Sequence, residues 1–134
     1  MILIKNGRII DPHSKRDEVV DIVIRDNKIL KIGKCSLTDE YEKVIDASGC
    51  IVAPGLIDVH VHFRDPGFTH KEDIETGSKS AAKGGFTTVV CMANTNPIVD
   101  NEETLEYIKE KAKTSPINVL QACAITKGFK RKKN

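Results

Sequence analysis

Between residues 56 and 125, three apolar runs alternate with two stretches of helical periodicity, and this alternation restricts the fold more than any other feature of the chain. Leu56 to Phe63, Phe86 to Met92 and Ile117 to Ile125 are strand-length and mostly apolar. Phe86 to Met92 is nearly continuous and rich in β-branched residues, which suits a strand covered on both faces. Asp65-Pro66-Gly67, after the first run, has the sequence of a type II turn. Thr69 with Glu72 has the spacing of a capping box for a helix to about Lys83, closed by Gly84-Gly85. Asp100 with Glu103 repeats the box, and Leu105, Ile108 and Ala112 then follow at helical spacing until about Lys113. Pro116 ends that segment.

The order β-α-β-α-β with parallel strands fits either a doubly wound sheet or the opening of a (β/α)8 barrel. A barrel takes roughly 250 residues, whereas this chain has 134. Residues 54–134 are therefore expected to be the start of such a barrel, stopping after its third strand. Residues 1–53 read differently, as part of a small all-β domain. Ile2-Leu3-Ile4 and Arg8-Ile9-Ile10 flank Asn6-Gly7, a hairpin signal because both residues tolerate positive φ. Val19 to Ile24 and Ile29 to Ile32 flank Asp26-Asn27 in the same way, and Ser48-Gly49 separates Val44-Ile45 from Cys50-Ile51-Val52. Three strand pairs follow from that reading. The fold class expected is α/β: a small β domain, then the opening of a barrel.

Composition excludes several classes of function. No apolar run approaches the roughly 18 residues of a membrane span. The start, Met1 to Lys5, has neither the basic region nor the apolar stretch of a signal peptide, so the chain reads as cytoplasmic. The net charge of +2 rests on Lys127, Lys130, Arg131, Lys132 and Lys133; without them 16 basic residues face 19 acidic ones. A short basic tail with no aromatic interleaving reads as solvated, not as a nucleic-acid site. Cys35, Cys50, Cys91 and Cys123 form no C-x-x-C pair. Cys91 and Cys123 lie in apolar runs and read as buried small hydrophobes.

His60 and His62 are the residues most suggestive of chemistry. A strand's period of two projects both imidazoles to one face, with Cα atoms roughly 6.5 Å apart. Two neutral imidazoles so placed can converge on one metal ion, and the C-terminal end of a barrel strand is where such sites sit. Spacing also allows a pair satisfied by backbone carbonyls. Arg64 follows two residues later; its planar fork suits a carboxylate, or pairs with Asp65 or Glu72. Asn94, in Met92-Ala-Asn-Thr-Asn-Pro97, can hydrogen-bond a polar ligand or serve a turn. Asp58 shares the histidines' face and either orients one of them or makes a structural bond. His13 and His70 read as turn and capping residues.

Pro54-Gly-Leu-Ile-Asp-Val-His-Val-His62 resembles the first-strand signature of the amidohydrolase superfamily. Phe63-Arg-Asp-Pro-Gly67 and Gly84-Gly-Phe-Thr-Thr-Val-Val-Cys-Met-Ala-Asn-Thr-Asn-Pro97 are similar to the dihydroorotase family of the long, barrel-plus-β-domain type, with similarity from about Ile2 to about Gly128. The resemblance implies reversible, metal-dependent hydrolysis of the cyclic amide of dihydroorotate to N-carbamoyl-aspartate. It implies that His60 and His62 ligate zinc, in a centre of one or two ions, and that Arg64 and Asn94 hold the substrate carboxylate. Hydantoinases and allantoinases share the H-x-H but generally lack this arginine together with the A-N-T-x-P stretch, so Arg64 carries much of the assignment. Ala93 stands where many relatives have proline. A lysine carbamate or aspartate, two further histidines and the general-base aspartate have no counterpart here, so no catalytic residue is assigned and the chain is expected to be a fragment, inactive alone. A non-catalytic, dihydroorotase-like structural partner is the reading from another class; intact His60, His62 and Arg64 weigh against it. The partners implied are the small molecules dihydroorotate and N-carbamoyl-aspartate, with no nucleic acid or membrane, and the resemblance allows a homo-oligomer.

Overall fold

The computed structural model describes residues 1–36 and 40–130. Of the basic run, Arg131, Lys132 and Lys133 lie outside the described residues. The chain divides into two compact units, Met1–Pro54 and Gly55–Asn134.

The first unit is one mixed sheet in the order β3-β2-β1-β4, with β5 also on β1. Its strands are β1 (Ile2–Asp11), β2 (Arg16–Arg25), β3 (Lys28–Gly33), β4 (Lys43–Asp46) and β5 (Ile51–Val52). Asn6-Gly7 is not a hairpin turn. β1 runs straight through it, and the ladder to β2 slips by one residue between Ile4 and Gly7. Asn6 sits at φ 59 in that bulge, and its freed N–H donates to Asp21 Oδ1 at 3.0 Å. The need for positive φ is met by a bulge because β2 is long enough to pair with both halves of β1. Gly7 also lets β5 approach, since a Cβ there would stand 2.5 Å from Val52 Cγ2. Asp26 and Asn27, at φ 50 and 59, do form the two-residue turn between β2 and β3. The third expected pair is absent: β4 and β5 do not pair with each other but each lies parallel along β1. Among the described residues of this unit, Leu3, Ile9, Ile22, Val23 and Ala47 are the buried apolar ones.

The second unit is a parallel sheet, β6 (Leu56–Val61), β7 (Phe86–Cys91) and β8 (Asn118–Gln121), in that order. Helices α1 (Ile74–Lys83) and α2 (Glu102–Ala112) make the two crossovers. Both helices start later than the capping-box patterns suggest. Asp73 caps α1 by accepting from the Thr76 N–H at 2.8 Å, while Glu72 accepts from the Asp73 N–H and the Thr76 hydroxyl. Asn101 caps α2 by accepting from the Thr104 N–H at 2.9 Å, because the Asp100 carboxylate accepts from the Gly128 N–H instead. In the loop after β6, Gly67 takes the positive φ of 90° and Phe68 N–H donates to Arg64 C=O at 2.9 Å.

Phe63, Ile74, Val89, Cys91, Ala93, Val99 and Ile108 form the core between helices and sheet. Gly77 matters to it: a Cβ there would stand 2.5 Å from Phe63 Cδ1, so a larger residue would lift α1 off the ring. Burial is uneven across the sheet. Leu56, Ile57 and Val59 of β6 and Leu120 of β8 are more than half exposed, whereas no large hydrophobic residue of β7 is exposed. No described helix is long and apolar enough to cross a membrane.

Candidate functional site

β6 carries His60 within the strand and His62 one residue past its end. Their rings lie 5.2 Å apart between centroids, with planes at 62°, and both side chains are exposed. Regular alternation alone does not set this geometry. The register to β7 slips between Asp58 and Val61, so Val59 and His60 together oppose a single residue. Bulges of this kind re-aim side chains beside functional sites. The His60 N–H freed by the slip donates to Asp58 Oδ1 at 2.9 Å. Asp58 therefore fixes the backbone of the histidine strand and is not hydrogen-bonded to an imidazole in this structure.

Both histidines line an open cavity of about 460 Å³, whose wall includes Met92, Ala93, Asn94 and Cys123. Asn94 reaches it because β7 delivers the chain beside β6: Met92 N–H donates to Val61 C=O at 2.9 Å. Asn94 Oδ1 is 2.8 Å from His62 Nδ1. An amide oxygen only accepts, so the proton of that bond belongs to Nδ1. In a neutral imidazole that arrangement leaves the Nε2 lone pair for a metal ion. With one lone pair of its oxygen engaged, Asn94 keeps its NH2 to donate to an acceptor on a ligand.

Arg64 is half-buried, at φ 61, and does not line that cavity; among the described residues it has no ion-pair partner. The partners suggested for it are otherwise engaged, Asp65 by Lys111 and Glu72 by Thr76. Cys123 is exposed on the cavity wall rather than buried, because β8 ends at Gln121. Cys91 is the buried thiol, pushed up to about 11 by that burial and so unreactive at neutral pH. His70 is exposed in the loop before α1, and His13 N–H donates to Asp11 in the turn after β1. Among the described residues no three His, Cys, Asp or Glu side chains gather to hold a metal ion.

Residues 49–133 match the family model described as dihydro-orotase-like. The chain belongs to that family. A dihydroorotase of Clostridioides difficile (strain 630) is 74% identical over 132 residues, covering 98% of this chain and 31% of that protein. The chain thus spans about a third of the length of the curated relatives it matches. Among solved structures, an L-hydantoinase (dihydropyrimidinase) from Arthrobacter aurescens superposes with a TM-score of 0.75 at 30% identity, over 90% of this chain and 27% of that one. An N-acyl-D-glutamate deacylase from Bordetella bronchiseptica, solved with zinc and a phosphonate inhibitor, gives 0.67 at 26% identity, over 92% and 29%. The resemblance carried by Pro54–His62 and Gly84–Pro97 is thus a family membership, and the fold is mixed α/β.

Proposed function

We propose that these residues form part of a zinc-dependent dihydroorotase of the cytoplasm, with Gly55 onward opening a (β/α)8 barrel and the first unit belonging to a small β domain. The observation that carries the reading is the His60–His62 pair with His62 Nδ1 held by Asn94. The donor set fits zinc: two imidazoles at one strand end, one bonded through Nδ1 to Asn94, supply two of the four ligands usual at this metal. A bound zinc polarises an amide carbonyl and lowers the pKa of bound water towards neutrality. His60 and His62 would hold it, and the remaining ligands and the general base would come from residues other than those described.

Arg64 and the Asn94 NH2 would hold the carboxylate of dihydroorotate, fixing the ring so that the scissile amide meets the metal. A guanidinium with no ion-pair partner among the described residues, two residues along the chain from His62, is the group suited to an anion. The hydantoinase neighbour supports a neutral cyclic imide as the second reading. The test is Arg64→Ala in the enzyme of which these residues form part. A charge-assisted bond is worth about 1.5–3 kcal/mol, so KM for dihydroorotate should rise tenfold or more, with zinc content unchanged. Unchanged kinetics, or better turnover of hydantoin than of dihydroorotate by the parent, would favour the second reading.

A further inference from the structure

The loop after β6 is tied down by a carboxylate that the proposed reaction does not use. Asp65 is 3% exposed. Its Oδ1 accepts from the Tyr107 hydroxyl at 3.0 Å and its Oδ2 from the Lys111 ammonium at 2.9 Å. Tyr107 and Lys111 stand one turn apart on α2, so a single helix face supplies both donors. Hydrogen bonds to Tyr107 first, and to Asp65 second, raise the Lys111 pKa above its ordinary value and keep the side chain charged. Other lysine pairs, such as Lys79–Glu75 and Lys109–Glu106, join exposed neighbours on one helix. Asp65 instead bridges more than forty residues of sequence.

What it fixes lies next to it. Arg64 has a left-handed backbone at φ 61, a conformation that a side chain of this size keeps only when its surroundings hold it. The loop is held at two further points: Phe68 N–H donates to Arg64 C=O at 2.9 Å, and Asn96 N–H to Pro66 C=O at 3.1 Å. We propose that Asp65 is a positioning residue, whose buried carboxylate, gripped by Tyr107 and Lys111 of α2, keeps Arg64 in its left-handed conformation and so aims the guanidinium at the substrate carboxylate. This rests on the reading of Arg64 as the carboxylate-binding group. It also makes α2, which contributes nothing to the cavity wall, part of substrate recognition.

The experiment compares Asp65→Asn, Lys111→Met and Lys111→Arg with Arg64→Ala in the zinc-loaded enzyme of which these residues form part. Asp65→Asn and Lys111→Met should raise KM for dihydroorotate about tenfold, the scale of one charge-assisted bond, with kcat and zinc content kept. Lys111→Arg, which preserves the pair, should stay near the parent. In the Arg64→Ala background Asp65→Asn should add nothing further. Amide exchange at Phe68 should quicken in Asp65→Asn, because its bond to Arg64 reports the loop directly. Unchanged KM and unchanged Phe68 exchange would overturn the proposal, as would an undiminished KM effect without Arg64. Faster Phe68 exchange with KM flat in both Asp65→Asn and Arg64→Ala would keep the anchor and overturn the reading of Arg64. Lys111→Met, at a half-exposed position, carries the same comparison should Asp65→Asn fail to fold.

Discussion

The side chain of Asn94 has an oxygen that accepts and an NH2 that donates, and the structure assigns the oxygen to His62 Nδ1 at 2.8 Å. Two substitutions separate the jobs that follow. In Asn94→Asp a carboxylate oxygen still accepts from Nδ1–H, so zinc should be retained, but a negative charge replaces the NH2 that would face the substrate. KM for dihydroorotate should rise sharply while zinc stoichiometry stays near the parent. Asn94→Ala removes both groups, and losing the partner that orients a metal-bound histidine typically lowers metal affinity 10–100-fold. Zinc titration against a chromophoric chelator, run beside steady-state kinetics, reads the two effects separately. Equal zinc affinity in Asn94→Ala and the parent would show that the bond to His62 orients nothing. His60, His62 and Arg64 are legible in sequence because they stand within five residues on one run. Asn94 is 32 residues from His62, and its bond to the imidazole exists only because β7 pairs with β6.

The helices and strands of the second unit follow their sequence patterns in kind but not in detail, and the differences have one cause. The boxes Thr69–Glu72 and Asp100–Glu103 each have a second cap candidate close by, Asp73 before α1 and Asn101 before α2, and these are the residues that cap. Which candidate acts depends on what else competes for the carboxylates, and Asp100 is held by Gly128, far along the chain. The slips at Asn6 and at Val59–His60 were hidden for a related reason, since a bulge is a property of two strands together. The caps differ in charge, which makes them separable. Asn101→Ala should cost about 1 kcal/mol at any pH. The Asp73 cap is ionic, and the Thr76 N–H and hydroxyl lower its pKa below the usual 3.8. A depressed pKa in the folded state means stability present above the unfolded value and lost as pH falls through the folded one. The difference between Asp73→Ala and parent should therefore shrink below about pH 4, while that for Asn101→Ala persists. Urea titrations at pH 7 and pH 3 test this. Gly77→Ala sets two effects against each other. Helix propensity favours alanine by about 1 kcal/mol. Against it, a Cβ 2.5 Å from the Phe63 ring forces a shift in a packed core, which typically costs 1–3 kcal/mol. The clash involves a buried ring between His62 and Arg64, so it should prevail: a lower urea midpoint, with weaker zinc binding in step.

At the scale of the molecule, the parallel order β6-β7-β8 with two crossover helices was readable from periodicity, because apolar runs and helical spacing report burial face by face. What covers the outer face of that sheet was not, since near-continuous apolar strands imply a cover without naming it. In the second unit Leu56, Ile57 and Val59 are 54%, 63% and 68% exposed, and β6 and β8 each have one edge unpaired among the described residues. In the first unit Val19, Ile29 and Ile51 are similarly bare. Exposed apolar strands with open edges favour association. The 134-residue chain by itself should therefore self-associate at micromolar concentration, visible as a concentration-dependent mass in sedimentation. It should also hold zinc weakly. His60 and His62 supply two ligands, and no third His, Cys, Asp or Glu joins them among the described residues. Zinc prefers four, so each missing ligand leaves a coordination position to water. Turnover of dihydroorotate should be absent, because groups that act as a unit lose nearly all rate enhancement when one is removed, and here neither a general base nor a full metal shell is present among the described residues. The decisive measurement is equilibrium dialysis against zinc together with a dihydroorotate assay at saturating metal. Stoichiometric, tight zinc with measurable turnover would mean that associated chains complete one another's sites. In that case Cys123, exposed on the cavity wall 61 residues after His62, would be the first side chain to test as a further ligand.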